Sequence, residues 1–358
     1  MKLPRITILA TLLLTAPAAA QLQITPPVAT PSAVPEKPKP PPAAKKKEAA
    51  PAPKPSASPK PAASPKPALP ATVIPAPATD NPNVDLVFGA YQRGQYKTAF
   101  DLATARAEAG DPKAMTMLGE LYSNAMGIRR DYAKALEWYK RAADAGDREA
   151  MFALAMLRIS GRGGSVDKSE AVKLMASAAK LGEPKAAYNL ALLYLDGQTL
   201  PQDVKRSAEL LRQAADAGLP EAQYALATFY KEGTGVPKDP ERAVRLLQAA
   251  SLADNVDAEV EYAIAMFNGT GTVKNQPAAV ALLRKASRQG SAIAQNRLAW
   301  VLINGMGTSV DKIEGFKWHL VAKTVGKGDP ELDKQFSDLP ADDRSKAEAA
   351  ARKWLGTK

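Results

Sequence analysis

Apolar positions along this chain recur with a period of 36 residues, and six consecutive copies follow one another without insertion or deletion. In the first copy, Ala114, Leu118, Leu121 and Tyr122 stand at i, i+4, i+7 and i+8, which places them on one face of an amphipathic α-helix. A second helical pattern follows within each copy, so the repeated unit is predicted to be a helical hairpin. A fixed period of this size is typical of a solenoid of stacked hairpins.

Two of the repeated positions hold small residues in every copy. The position in the first helix holds Gly119, Ala155, Ala191, Ala227, Ala263 and Ala299. The position in the second helix holds Ala135, Ala171, Ser207, Ala243, Ala279 and Gly315. Because small side chains let helices approach closely, we expect the tightest helix packing at these positions. A single hairpin cannot bury both of its apolar faces, so the hairpins are predicted to stack.

Capping residues mark the ends of the predicted helices. Asp111, Asp147 and Glu183 stand where the first helices begin. The second helices are predicted to begin at Asp131, Asp167, Asp203, Asp239, Asn275 and Asp311. A side-chain oxygen at such a position accepts a hydrogen bond from a free backbone N–H group. The second helices end at Gly146, Gly182, Gly218 and Gly290, as expected for a helix C-terminus, and Asp254 interrupts this glycine series.

Atypical segments flank the repeats at both ends. Residues 84–108 are predicted to form an opening hairpin that caps the array, since terminal repeats of a solenoid are atypical. The six full repeats span residues 109–324, and residues 325–358 are predicted to form a C-terminal capping region. This region contains a helix at about Ala341–Leu355. The apolar stripe expected to cover the sixth repeat consists of Ala347, Ala351, Trp354 and Leu355.

The repeated pattern resembles the Sel1-like repeat, a relative of the tetratricopeptide repeat, over about residues 109–324. The match is best at Ala217–Ser251, and the first copy departs from it with Ala125 in place of the first loop glycine. The resemblance implies an all-α fold, a right-handed α/α superhelical solenoid of helical hairpins. It also implies a scaffold for protein complexes with a part in signalling. Exported bacterial members of this family include periplasmic regulators that hold a sensor kinase in check.

The first 20 residues have the three parts of a secretory signal peptide. Lys2 and Arg5 precede an apolar stretch of 11 residues, Ile6–Ala16, and small residues at 18–20 form a cleavage site. The apolar stretch is shorter than the roughly 20 residues that a membrane-spanning helix needs. We therefore expect export to the periplasm or the medium and no membrane span after cleavage. Retention of the segment as an uncleaved anchor is the alternative.

Residues 21–83 form a Pro/Ala/Lys-rich segment with 19 Pro, eight Lys and no aromatic residue. Such a composition cannot bury enough apolar surface to offset the entropy of ordering, so a disordered linker is predicted. One interpretation is a solvated spacer. The other is a weak, salt-sensitive contact of the lysines with the cell wall or another anionic surface.

Composition excludes several kinds of site. The chain has no Cys and a single His, His319, so a disulfide framework, a thiolate nucleophile and a Cys- or multi-His metal site are excluded. Residues 1–83 carry a net charge of +7 and the rest of the chain only +4, so no nucleic-acid partner is predicted. We find no matched nucleophile or acid–base pair, and acids such as Glu259 and Glu261 are expected to be solvated. An enzyme, a cofactor and a metal are therefore not predicted.

The first helix of each hairpin carries the candidate binding surface. In related repeat folds this helix lines the concave face, and three of its columns differ in residue type from copy to copy. The candidate binding residues are Phe152, Tyr188, Tyr224, Asn296, Thr228, Lys231 and Trp300. Tyr188 and Tyr224 are the best anchors, because tyrosine combines apolar area with a polar tip. Alternatively, the aromatic residues only form core between repeats.

These observations predict a periplasmic interaction scaffold or regulator that binds a protein or peptide partner in the solenoid groove. An envelope signalling protein is the partner that the family resemblance favours. The alternative prediction is a protein that binds the cell wall or an anionic glycan through its Lys-rich linker.

Overall fold

The structure of the protein is a computed structural model that describes residues 85–356. The predicted signal peptide (1–20) and linker (21–83) lie outside the described residues. Every regular element between residues 85 and 356 is an α-helix. The helices are α1 (Leu86–Gln92), α2 (Tyr96–Glu108), α3 (Pro112–Asn124), α4 (Tyr132–Asp144), α5 (Arg148–Ser160), α6 (Lys168–Lys180), α7 (Pro184–Asp196), α8 (Val204–Asp216), α9 (Pro220–Glu232), α10 (Pro240–Leu252), α11 (Val256–Asn268), α12 (Gln276–Arg288), α13 (Ala292–Asn304), α14 (Lys312–Lys323), α15 (Pro330–Ser337) and α16 (Ala341–Gly356).

Six hairpins, from α3–α4 to α13–α14, form the body of the array. The two helices of each hairpin pack against each other, and the second helix of each also packs against the first helix of the next hairpin. The buried side chains consequently form clusters that follow one another along the array. The predicted all-α solenoid of helical hairpins is confirmed.

The second helices begin as predicted, at an Asp or Asn residue that caps the helix. The Oδ1 atom of Asp131 accepts a hydrogen bond from the backbone N–H of Lys134 at 3.0 Å. The other five members of the column accept from the residue three positions on, at 2.9 to 3.1 Å. At the opposite ends, the four predicted glycines have φ angles between +83° and +96°, a region that glycine enters without steric cost. Asp254 takes their place with φ +58°.

The small residues lie where helices approach most closely. A Cβ atom added to Gly119 of α3 would lie 2.6 Å from two ring atoms of Tyr139 in α4. A Cβ atom on Gly315 of α14 would lie 2.6 Å from a side-chain carbon of Ile303 in α13. Ala191 of α7 has no exposed surface. The predicted close approach at these two columns is thus present in the structure.

The N-terminal hairpin agrees with the sequence pattern, and the C-terminal end contains a helix that the pattern did not predict. Helices α1 and α2 form the opening hairpin. The additional helix, α15, is capped at its N-terminus by Asp329, whose side chain accepts hydrogen bonds from the N–H groups of Glu331 and Leu332. Leu332 is fully buried and stands 36 residues after Asn296. Helix α15 is therefore a shortened first helix of a further repeat.

Helix α16 covers the last hairpin by packing on α14. Its Trp354 ring meets the Trp318 ring edge-on, with a centroid distance of 5.0 Å. Ala347 and Ala351 are buried, whereas Leu355 is 42% exposed, so its place in the predicted stripe was wrong. Among residues 85–356, none of the helices combines the length and the apolar character needed to cross a lipid bilayer.

Candidate functional site

The candidate surface is the first-helix face, which we define as the predicted binding columns of α3, α5, α7, α9, α11 and α13. Phe152, Tyr188 and Tyr224 occupy the same position on three successive first helices. All three are partly buried and pack against the apolar core. Each side chain therefore takes part in the apolar packing and keeps part of its surface exposed. The structure places the two predicted tyrosine anchors on adjacent repeats, at the edge of the core.

Burial and nearby carboxylates raise the pKa values of both tyrosine hydroxyls. Burial raises the pKa of Tyr188 above its ordinary value, and the charge of Glu221 raises it further. Burial likewise raises the pKa of Tyr224, with additional contributions from Glu261 and Asp257. Both hydroxyls consequently stay protonated well above neutral pH and can donate hydrogen bonds. The surroundings of the two rings are acidic.

Thr228 and Lys231 lie on α9, one and two turns after Tyr224. The hydroxyl of Thr228 donates to the carbonyl oxygen of Tyr224 at 3.2 Å, so this side chain is occupied by its own helix. The Nζ atom of Lys231 lies 2.9 Å from Oε2 of Glu261 on α11. This ion pair joins the first helices of neighbouring repeats, and the lysine side chain remains exposed.

A cavity of about 170 Å³ lies beside this ion pair, between α9, α10 and α11. The polar part of its wall is formed by Lys231, Glu261, Asn268 and Thr270. The apolar part of the wall includes Ala243, Val244, Leu247, Ile264 and Ala265. We call this space the apolar cavity. The apolar part of the wall could contact an aliphatic side chain of a ligand. The charged part could contact a polar group next to that side chain.

Asn296 and Trp300 of α13 do not belong to the open part of the first-helix face. Asn296 is only 5% exposed, and its amide donates to the carbonyl oxygen of Lys327 at 3.2 Å. Trp300 is partly buried, and its ring N–H donates to Oδ2 of Asp329 at 3.0 Å. Both side chains fix the segment that leads into α15. The prediction of Asn296 as a groove residue was wrong because the segment before α15 covers this end of the face.

Glu259 is a buried carboxylate that the sequence reasoning placed in solvent. It has no exposed surface, and its Oε1 atom lies 2.6 Å from Nζ of Lys285 on α12. Lys285 also contacts Asp254 at 2.7 Å. The 36-residue period carries a signal for this burial, since Glu259 shares a column with the buried residues Met115 and Gln295. A burial this complete requires a partner for the charge, and the ion pair supplies it.

His319 is a structural residue of the last hairpin. Its side chain is fully buried, and Nε2 lies 2.9 Å from Oδ1 of Asp333 on α15. The ammonium group of Lys323 reaches the same carboxylate oxygen at 2.7 Å. These contacts tie α14 to α15. In the part of the chain that the structure describes, no cluster of three metal-ligating side chains occurs.

Comparison with protein families identifies the repeat. The Sel1 repeat model matches residues 112–147, 148–183, 184–219, 220–255, 256–291 and 292–323. No curated protein matches the sequence significantly. The predicted resemblance to Sel1-like repeats is confirmed by this model, which covers more than half of the chain.

Solved structures show the same fold. A Sel1 repeat protein from Oxalobacter formigenes is 24% identical, with a TM-score of 0.57, over 66% of this chain and 94% of that one. The c5321 protein, a protective antigen present in uropathogenic Escherichia coli strains, is 23% identical, with a TM-score of 0.51. That match covers 72% of this chain and 64% of c5321. Folds of this type generally mediate protein–protein interaction, and this chain belongs to the Sel1 repeat family.

Proposed function

We propose that this protein is an exported interaction scaffold that binds an extended segment of a protein partner along its first-helix face. One observation carries the proposal: Tyr188 and Tyr224 are partly open at equivalent positions of adjacent repeats. Glu261, whose charge acts on Tyr224, also lines the apolar cavity. Repeated positions on successive hairpins give an extended chain a series of evenly spaced contacts. The general role of Sel1 repeats in protein–protein interaction supports this function.

The chemistry of the face specifies the partner segment. Glu221, Asp257 and Glu261 act electrostatically on the two tyrosines, so they favour Lys or Arg in the partner. The tyrosine rings offer apolar area and a hydroxyl donor, which suits a segment that carries both apolar and polar groups. The apolar cavity takes one aliphatic side chain of the same segment. The proposed ligand is therefore an extended peptide with basic and aliphatic residues.

Site-specific crosslinking in cells tests this function. A photoreactive amino acid at Tyr224 is expected to capture a partner protein, because this position faces the proposed ligand. The matched control is Gln248, an exposed position on α10 outside the first-helix face. Capture that is equal from both positions, or absent from Tyr224 and Tyr188 alike, would contradict the proposal.

The proposal also includes export of the protein and a second candidate function for the linker. The signal-peptide pattern of residues 1–20 supports a periplasmic or secreted location, and sequencing of the mature N-terminus tests it. The second candidate function is cell-wall or anionic-glycan binding through the eight lysines of residues 21–83. Deletion of residues 21–80 separates the two functions. Loss of salt-sensitive retention on purified wall favours wall binding, whereas partner capture by the shortened chain favours the scaffold.

A further inference from the structure

A second cavity is distinct from the apolar cavity, and three arginines contribute to its wall. It has a volume of about 340 Å³ and lies between α8, α9 and α10. Its walls are formed by Arg212, Asp216, Leu226, Tyr230, Arg242, Arg245 and Leu246. We call this space the arginine cavity. The three guanidinium groups come from two helices of successive hairpins, so the fold gathers them at one place.

Tyr230 lies at the centre of this charge cluster. Only 5% of the residue is exposed, and its hydroxyl oxygen receives N–H groups from Arg212 at 3.3 Å and from Arg242 at 3.4 Å. Burial raises the pKa of Tyr230, but the hydrogen bonds from Arg242 and Arg212 outweigh it, and the pKa lies below its ordinary value. The two guanidinium groups occupy the lone pairs of the oxygen. Its own proton is thus left to donate, and no hydrogen bond within residues 85–356 uses it.

The other repeats provide an internal comparison. The positions of Arg212, Tyr230, Arg242 and Arg245 are each part of a 36-residue column. One repeat earlier, these positions hold Ala176, Tyr194, Arg206 and Glu209. One repeat later, they hold Gln248, Met266, Ala278 and Ala281. In the earlier repeat, Arg206 is neutralised by Glu209 at 2.7 Å. Among these three places, only the junction of the third and fourth repeats combines three arginines with a tyrosine hydroxyl.

Nearby carboxylates neutralise only part of this charge. Asp239 lies 3.1 Å from Nε of Arg242, and it is also the N-cap of α10. Asp216 lies in the cavity wall, and within residues 85–356 it forms no ion pair at 4.0 Å or less. For Arg212 and Arg245, no carboxylate among the described residues lies within 4.0 Å. Three arginines against two aspartates leave the cavity positive, and two of its guanidinium groups have no acidic partner.

We propose that the arginine cavity binds the phosphate group of a small organic phosphate ester. Guanidinium groups present paired N–H donors whose geometry matches the oxygens of a phosphate. Arg212 and Arg245 supply these donors, and the Tyr230 hydroxyl adds a neutral one. Leu226 and Leu246 form an apolar wall for the carbon part of the ligand. This site is independent of partner binding on the first-helix face.

Titration calorimetry of the mature protein with phenyl phosphate at low ionic strength tests this site. Phenyl phosphate combines the dianion with an apolar ring, so we expect saturable binding at one site per chain. Inorganic phosphate should bind more weakly and phenol not at all, because each lacks one half of the ligand. Arg212→Gln and Arg245→Gln should each weaken binding by about tenfold, since each removes charged donors.

The control is Arg206→Gln, which removes an arginine from the position equivalent to Arg242 in the preceding repeat. This exposed substitution should change the affinity by less than about twofold, because its charge is already paired. Unchanged circular dichroism of all three exposed variants shows that they fold. No saturable binding of phenyl phosphate, or an equal loss in the Arg206→Gln variant, would overturn the proposal, because the latter indicates general charge attraction.

Discussion

The contact between Gly119 and Tyr139 allows a sharp test of the packing. Gly119 lies within α3, where replacing glycine by alanine should favour the helix by about 1 kcal/mol. In this structure, however, the added Cβ atom would lie 2.6 Å from Cδ1 and Cε1 of the Tyr139 ring and 2.9 Å from Cγ. Tyr139 is buried, so its ring cannot move aside into solvent. The clash should exceed the gain in helix propensity.

We therefore expect Gly119→Ala to lower the free energy of unfolding by about 1–2 kcal/mol, since overpacking a core costs roughly 1–3 kcal/mol. Other repeats show how the contact can be relieved. Where this column holds alanine, its partner in the second helix is smaller, as with Ala191 and Leu211. In a Tyr139→Leu background, the Gly119→Ala substitution should therefore lower the free energy of unfolding much less.

Chemical denaturation followed by circular dichroism measures both effects in one double-mutant cycle. Gly89→Ala serves as the control, because its Cβ atom would meet only the flexible end of Arg93, at 3.3 Å. The control should be neutral or stabilising by up to about 1 kcal/mol. If Gly119→Ala is as stable as the wild type, the Tyr139 ring is not fixed and does not restrict the residue at position 119.

Four further predictions concern other parts of the array. Ala191→Leu should lower the stability by roughly 1–3 kcal/mol through overpacking, and an unchanged melting temperature would contradict this. Ala125 ends α3 with φ +59°, so Ala125→Gly should raise the stability by about 0.5–1 kcal/mol, as measured by the denaturation midpoint. Lys285→Met should lower that midpoint more than Glu259→Gln, because only the first leaves a buried charge without its partner. The hydrogen bond from Lys323 lowers the pKa of Asp333, with a further contribution from His319. This carboxylate therefore stabilises the C-terminal end above its unfolded pKa of about 3.9 and loses this contribution as the pH falls further. The loss should be absent from melting curves of Asp333→Asn.

Local features of the architecture could be predicted from the sequence. The helix caps at Asp131 and its equivalents depend on residues three positions apart, and the small columns repeat in strict register. Such features are determined by neighbours along the chain, so periodicity reveals them. The opening hairpin and the helix at the C-terminus were predicted for the same reason. Helix α15 was missed because its eight residues are too short for a periodic pattern.

The tertiary structure decided which positions of the first-helix face stay open. Tyr188 and Tyr224 keep part of their surface, whereas Asn296 is covered by the segment before α15. The tertiary structure also decided that Glu259 is buried. It brings helices of two hairpins together to form the arginine cavity. Periodicity places residues in columns along each helix, but accessibility depends on which helix packs over a column. That packing joins residues far apart in sequence, and it is therefore determined only when the whole array is folded.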